Sequence, residues 1–185
     1  MPALETKRLR LVPISLEMVE GVLSRDKDAA DQALDDALAA LGWPTGARFP
    51  ETWPNDDLVA RAFPYSLAAI RAAPDVRLWG DTMVVTRDTP PRVLGSVVFK
   101  GKPTDGIAEV GYGIEDGSRG QGLATEATLA CIEWALDQPD IVAVQAITFA
   151  AHLASLGVIK NCGMTACGTR DHHIFGELLV FERRR

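Results

Sequence analysis

The stretch Arg119-Gly120-Gln121-Gly122-Leu123-Ala124-Thr125-Glu126-Ala127 constrains the fold of this 185-residue chain more than any other. It links a β-rich run, Ile107 to Ile114, to a helical run from Gly122 to Leu136 with the apolar stripe Leu123, Ala127, Ala130, Cys131 and Trp134. Pro139 stops that helix, and a second β run, Ile141 to Thr148, follows. A helix between two strands is long enough for a crossover, so the spacing predicts a parallel pair there. Glycines at the helix start let a ligand approach the backbone, and the free N–H groups and helix dipole favour an anion. Arg119 adds a forked cation suited to phosphate. The segment therefore reads as a phosphate cradle, beside the plainer reading of a Gly-rich helix start with a surface Arg.

Two known phosphate motifs do not fit. A dinucleotide fingerprint requires a third Gly where Thr125 stands and an acid closing the next strand, which instead ends Thr148-Phe149-Ala150. A nucleoside-triphosphate loop requires a hydroxyl after Gly-Lys, and Gly101-Lys102 is followed by Pro103.

The remaining chain predicts one domain. Leu9 to Val12 reads as a strand stopped by Pro13, Ser15 as the cap of a helix with the stripe Met18, Val19, Val22 and Leu23. A second helix runs from Ala30 to Leu41, with Asp31, Asp35 and Asp36 on its wet side and Gly42 and Pro44 closing it. Residues 43–75 are irregular or helical; Pro64 is expected to kink or split the helical part between Asn55 and Ala73. Three β runs, Val76 to Thr86, Arg92 to Lys100 and Ile107 to Ile114, are joined by short turns and predict an antiparallel meander. After the crossover come a short helix, His152 to Asn161, and two closing strands, Met164 to Thr169 and Ile174 to Glu182. The whole is a mixed α/β sheet.

Nineteen Lys plus Arg against twenty-five Asp plus Glu leave a formal charge of -6, with no basic run except Arg183 to Arg185. That balance argues against nucleic acid or an anionic membrane as partner. No apolar run reaches the roughly 18 residues a membrane span needs, which predicts a soluble chain. The opening Met1 to Lys7 lacks an apolar signal core, and three cysteines form no disulfide framework; both readings place the chain in the cytoplasm.

In a regular strand Ala108, Val110, Tyr112 and Ile114 share one face, and Glu109, Gly111 and Gly113 the other. The first face packs, with Tyr112 expected beneath the strand. The second offers one carboxylate and room beside it, against the bland alternative of a solvated Glu.

The cradle resembles the acetyl-CoA pyrophosphate motif of the GNAT acetyltransferases, Gln/Arg-x-x-Gly-x-Gly/Ala, in Arg119, Gly122 and Ala124. The opening Leu4-Glu5-Thr6-Lys7-Arg8-Leu9-Arg10-Leu11 is similar to the branch of the ribosomal-protein N-terminal acetyltransferases. Glu109-Val110-Gly111-Tyr112, Ala154-Ser155 and Asn161-Cys162-Gly163-Met164 resemble it too. The resemblance implies a single domain over 1–185, a central mixed sheet with helices on both faces, and 43–75 as an acceptor-side segment. It implies acetyl transfer from acetyl-CoA to a primary amine, of a protein N-terminus or a small molecule, without a metal. A homodimer is compatible with it. Glu109 matches the general base, and the stretch to Ile114 supplies donors for the oxyanion. Cosubstrate contacts fall to Ile114, Arg119, Gly120, Gln121, Gly122, Leu123, Ala124, Thr125, His152 and Ser155. Many relatives protonate the leaving thiolate with a Tyr, where this chain has Ile159; Ser155 remains. His152 stands where the family has Asn, and Gly157 where it has Arg. A second function class stays open on those departures: a catalytically silent acyl-CoA-binding sensor or scaffold.

Cys162, Cys167, His172 and His173 have zinc-like spacing, but a helix end and a strand do not converge on one tetrahedron. Trp43, Phe49, Trp53, Phe63 and Tyr65 either pack the irregular segment or wall an acceptor pocket. Glu126 is read as capping or solvating the helix start.

Overall fold

The computed structural model describes residues 2–51, 54–72, 79–173 and 175–185. A short hairpin, β1 (Leu4–Glu5) and β2 (Leu9–Pro13), leads into four helices, α1 (Leu16–Leu23), α2 (Lys27–Ala40), α3 (Asp56–Arg61) and α4 (Phe63–Ala72). The meander follows as β3 (Asp81–Thr86), β4 (Val93–Phe99) and β5 (Ile107–Ile114). Then come α5 (Leu123–Leu136), β6 (Ala143–Thr148), α6 (Leu153–Asn161), β7 (Thr165–His172) and β8 (Gly176–Arg184). The sheet order is β1-β2-β3-β4-β5-β6-β8-β7, and β5 with β6 is the parallel pair. The expected mixed α/β sheet is the observed one.

Alternation along the strands sends side chains to two cores. Leu9, Leu11, Val84 and Leu94 pack with Ala127, Cys131 and Ile132 of α5. Val12, Met83, Val85 and Val93 pack on the other face with Met18, Leu34 and Ile70 of α1, α2 and α4. Helices therefore cover both faces.

The Ser15 hydroxyl accepts from the Met18 N–H and caps α1 as expected. The helical part ahead of the meander divides at Ala62, between α3 and α4, with Pro64 in the first turn of α4, where its missing N–H costs nothing. Three expectations change. Asp31 is buried rather than wet, because its carboxylate accepts from the Phe49 N–H (2.7 Å) and from Lys27 Nζ (2.6 Å) and so anchors the segment after α2. The first meander strand begins at Asp81; residues 76–78 lie outside the described residues, and Trp79-Gly80 form a bend. The closing strands extend further toward the C-terminus than expected, to His172 and Arg184, because β7 is exposed on both faces and carries no apolar alternation to mark its end.

Candidate active site

The parallel pair is short. β5 and β6 are in register only at Ile107–Ala143, Ala108–Val144 and Glu109–Gln145. Beyond that, β5 stays on β4 up to Ile114, while β6 stays on β8 up to Thr148. The two halves of the sheet part, and a cavity of about 1010 Å³ opens between them. Lys100 N donates to Glu109 O and Glu115 N to Leu94 O, so odd-numbered backbone groups of β5 face β4. Alternation then turns the N–H groups of Tyr112 and Ile114 into the opening, beyond the last β6 partner. The expected parity holds: Ala108, Val110 and Ile114 are buried in the core under α5.

The Gly-rich segment forms one end of the cavity. Gly120 and Gly122 have φ of 75° and 74°, and Gly122 is the N-cap of α5. A left-handed N-cap without a side-chain cap leaves the N–H groups of Leu123, Ala124 and Thr125 aimed outward, with no protein acceptor among the described residues. Those donors and the dipole fit an anionic group such as a pyrophosphate. Arg119 lines the same cavity, with its guanidinium 2.6 Å from Asp116 Oδ1 and its Nε donating to Ile114 O at 3.2 Å. Ile114, Gly120, Gly122, Leu123, Ala124, Thr125, His152 and Ser155 join it there; Gln121 lies outside the wall, and its carbonyl accepts from Arg8.

Glu109 projects into the opening between two cations, with Lys100 Nζ at 2.7 Å and Arg170 Nη1 at 3.0 Å. Burial pushes its carboxyl up, but the hydrogen bonds and charges of Lys100 and Arg170 outweigh that and hold it below the usual carboxylate range. On the opposite wall Tyr112 Oη lies 2.9 Å from Ser155 Oγ and donates to Ser155 O at 3.1 Å. Burial raises the Tyr112 phenol, and the Ser155 hydrogen bond opposes it only in part, so the phenol stays protonated. Ile159 is the buried residue of α6 and packs into the core with α5. His152 precedes α6 and stacks on Phe149, centroids 5.2 Å apart, with Nδ1 3.4 Å from Thr148 Oγ1.

Sequence reasoning missed three partnerships. Lys100 and Arg170 meet Glu109 from elements that only the fold brings together, and no local signal marks them. Tyr112, expected to pack beneath its strand, also crosses to Ser155. Glu126 is neither a helix cap nor simply solvated: it accepts from Thr6 Oγ1 (2.6 Å), Arg8 N (2.8 Å) and Arg8 Nε (2.7 Å). The signal for this last one was present in the Thr6-Lys7-Arg8 opening. Of the residues with zinc-like spacing, Cys162 Sγ donates to Thr125 O, Cys167 Sγ donates to Val180 O, and the His172 and His173 rings stack on each other at 4.7 Å.

The sheet splits after one short parallel pairing, and the uncapped start of α5 lies at the split. The family model for the acetyltransferase (GNAT) domain matches residues 8–165, and the chain belongs to that family. It is 27% identical over 164 residues to YjdG, an uncharacterized N-acetyltransferase of Bacillus subtilis (strain 168), covering 88% of this chain and 89% of that one. Its fold is similar to that of an acetyltransferase from Agrobacterium tumefaciens str. C58, with a TM-score of 0.65, 20% identity, and 100% and 95% of the two chains covered. It is also similar to RimL, a ribosomal L7/L12 alpha-N-protein acetyltransferase solved with coenzyme A, with a TM-score of 0.63, 13% identity, and 99% and 98% covered. No helix among the described residues is long and apolar enough to cross a membrane.

Proposed function

We propose that this chain is an N-acetyltransferase that moves acetyl from acetyl-CoA to a primary amine by direct attack on the thioester. The observation that supports it most is the opening where β5 and β6 part after Glu109, with the uncapped start of α5 at one end. The cosubstrate supplies an activated acetyl carbonyl. The N–H groups of Leu123, Ala124 and Thr125, with Arg119, bind its pyrophosphate, and the N–H groups of Tyr112 and Ile114 receive its amide chain and carbonyl oxygen.

The arriving ammonium meets Glu109 between Lys100 and Arg170, and those two cations disfavour its charge and so favour loss of its proton. The same cations make Glu109 a weak base, so it takes the proton, directly or through water, only to pass it on. The amine nitrogen then attacks the acetyl carbon, the new C–N bond forms and the C–S bond breaks. The thiolate takes a proton from the Ser155 hydroxyl, Tyr112 Oη re-supplies it at 2.9 Å, and the second proton, lost by the nitrogen as the amide forms, restores Tyr112 through water. The products are the acetamide, CoA thiol and the proton left on Glu109, which passes to water.

Thiol release from acetyl-CoA, followed against a panel of primary amines, tests the reading. Turnover with at least one amine is expected; tight CoA binding with no thiol release from any amine would overturn it and leave a sensor.

A further inference from the structure

A second cavity of about 620 Å³ lies beside the wedge-shaped opening between β5 and β6, within the range of about 300–1,000 Å³ typical of small-molecule sites. Ala62, Ser96, Val98 and Lys100 line both spaces, so the second cavity adjoins the first beside the Lys100–Glu109 pair. Its wall is built mainly by Ile14, Phe63, Trp79, Met83, Val98 and Phe99. Trp79 and Phe99 meet edge to face, 5.0 Å between centroids, which fixes the ring surface at this end. Tyr65 stands at the rim, 79% exposed.

The charged and hydroxyl groups in that wall are largely spent within the protein. The Ser66 hydroxyl donates to the Asp81 carboxylate, and Lys100 Nζ is held by Glu109 at 2.7 Å. A polar guest would lose water there and find few free partners, whereas an apolar guest loses nothing and releases water from the aromatic wall. Phe63 and Tyr65, for which the sequence left packing and acceptor-pocket roles open, both line this space.

We propose that this cavity selects the acceptor: the amine acetylated by this chain carries an aryl or branched-alkyl group that fills it, with the amino nitrogen at Glu109. The assignment rests on the transferase reading above. The shared chemistry is a primary amine one or two carbons from an apolar group, found both in arylalkylamines and in peptides with an apolar first residue.

The test measures kcat/KM by thiol release for 2-phenylethylamine, ethylamine, spermidine, and tripeptides beginning with phenylalanine or serine. Phenylethylamine is expected to exceed ethylamine and spermidine by roughly ten- to a hundredfold, the scale of burying one aromatic ring. If the natural source is a peptide, the phenylalanine tripeptide exceeds the serine one by the same margin; if it is a small amine, both tripeptides are poor. Ala69→Trp, which fills the cavity from its rim, should collapse the preference for phenylethylamine over ethylamine about tenfold, with CoA affinity as the control for folding. Tyr65→Ala, at an exposed position, should lower the preference more mildly. Equal kcat/KM across the series, with both variants silent, overturns the proposal and leaves acetyl transfer standing. If no amine turns over while CoA binds, the transferase reading fails. Calorimetry of phenylethylamine against ethylamine on the CoA complex then decides the cavity, and equal affinities overturn its apolar preference.

Discussion

Glu109 is a single carboxylate held between two cations, and that decides what its replacement does. Glu109→Gln keeps the shape and the hydrogen-bonding carbonyl but removes the carboxylate proposed to accept the proton, and it leaves Lys100 and Arg170 as uncompensated cations. Turnover should fall about 10²–10⁴-fold while CoA affinity, read by calorimetry, stays near wild type. The deficit should shrink as pH rises toward the amine's own pKa, because free amine then forms unaided. An anchor for the acceptor would instead raise KM at every pH. Ser155 and Tyr112 act as a pair of hydroxyls 2.9 Å apart. Ser155→Ala should lower kcat far more than it lowers CoA affinity. Tyr112→Phe should give a smaller loss that grows as pH rises, since proton re-supply from water fails there; a pH-independent loss would mark a packing role alone.

At the scale of the element, α5 is held at its first turn by a strand hairpin more than a hundred residues earlier. Glu126 gathers Thr6 and Arg8, and Arg8 Nη1 also donates to Gln121 O at 3.0 Å. Burial raises the Glu126 carboxyl, but Thr6 and Arg8 outweigh it and hold it below its ordinary value of 4.5. A depressed folded pKa gives stability that is complete above the unfolded value and is lost as pH falls through the folded one. Wild-type thermal stability should therefore drop below about pH 4.5 more steeply than that of Glu126→Gln, which differential scanning calorimetry over pH 3–7 reads. Arg8 is half-exposed, so Arg8→Ala should cost no more than about 1 kcal/mol of stability, yet it frees the cradle loop at Gln121 and should weaken CoA binding. Gly95 shows how tightly β4 and β5 meet: a β-carbon there would lie 2.0 Å from Gly113 O.

The molecule as a whole is two sheet halves joined by three residue pairs and by α5 packed across both. A ligand in the wedge touches both halves, so it should couple them. At a CoA concentration of about 100 times Kd, linkage adds roughly 2.7 kcal/mol to the folded state. For a chain of this size that is a rise in Tm of roughly 5–10 °C. An unchanged Tm at saturating CoA would show that the wedge does not bind it.

The linear chain was enough for whatever depends on neighbours a few residues apart. The helix stripe and Gly-rich start of α5, the parity of β5, the cap at Ser15 and the split of the helical part near Pro64 are all fixed by local periodicity or backbone freedom. Their order implied the crossover and hence the parallel pair. What it could not give was decided by distance through space. Lys100 and Arg170 flank a carboxylate 9 and 61 residues from them, and Arg8 holds a glutamate 118 residues on. Asp31 has the spacing of a wet helix face, yet the Phe49 N–H buries it. Such contacts follow from how the fold packs whole elements against one another, and short-range patterning carries no record of that geometry.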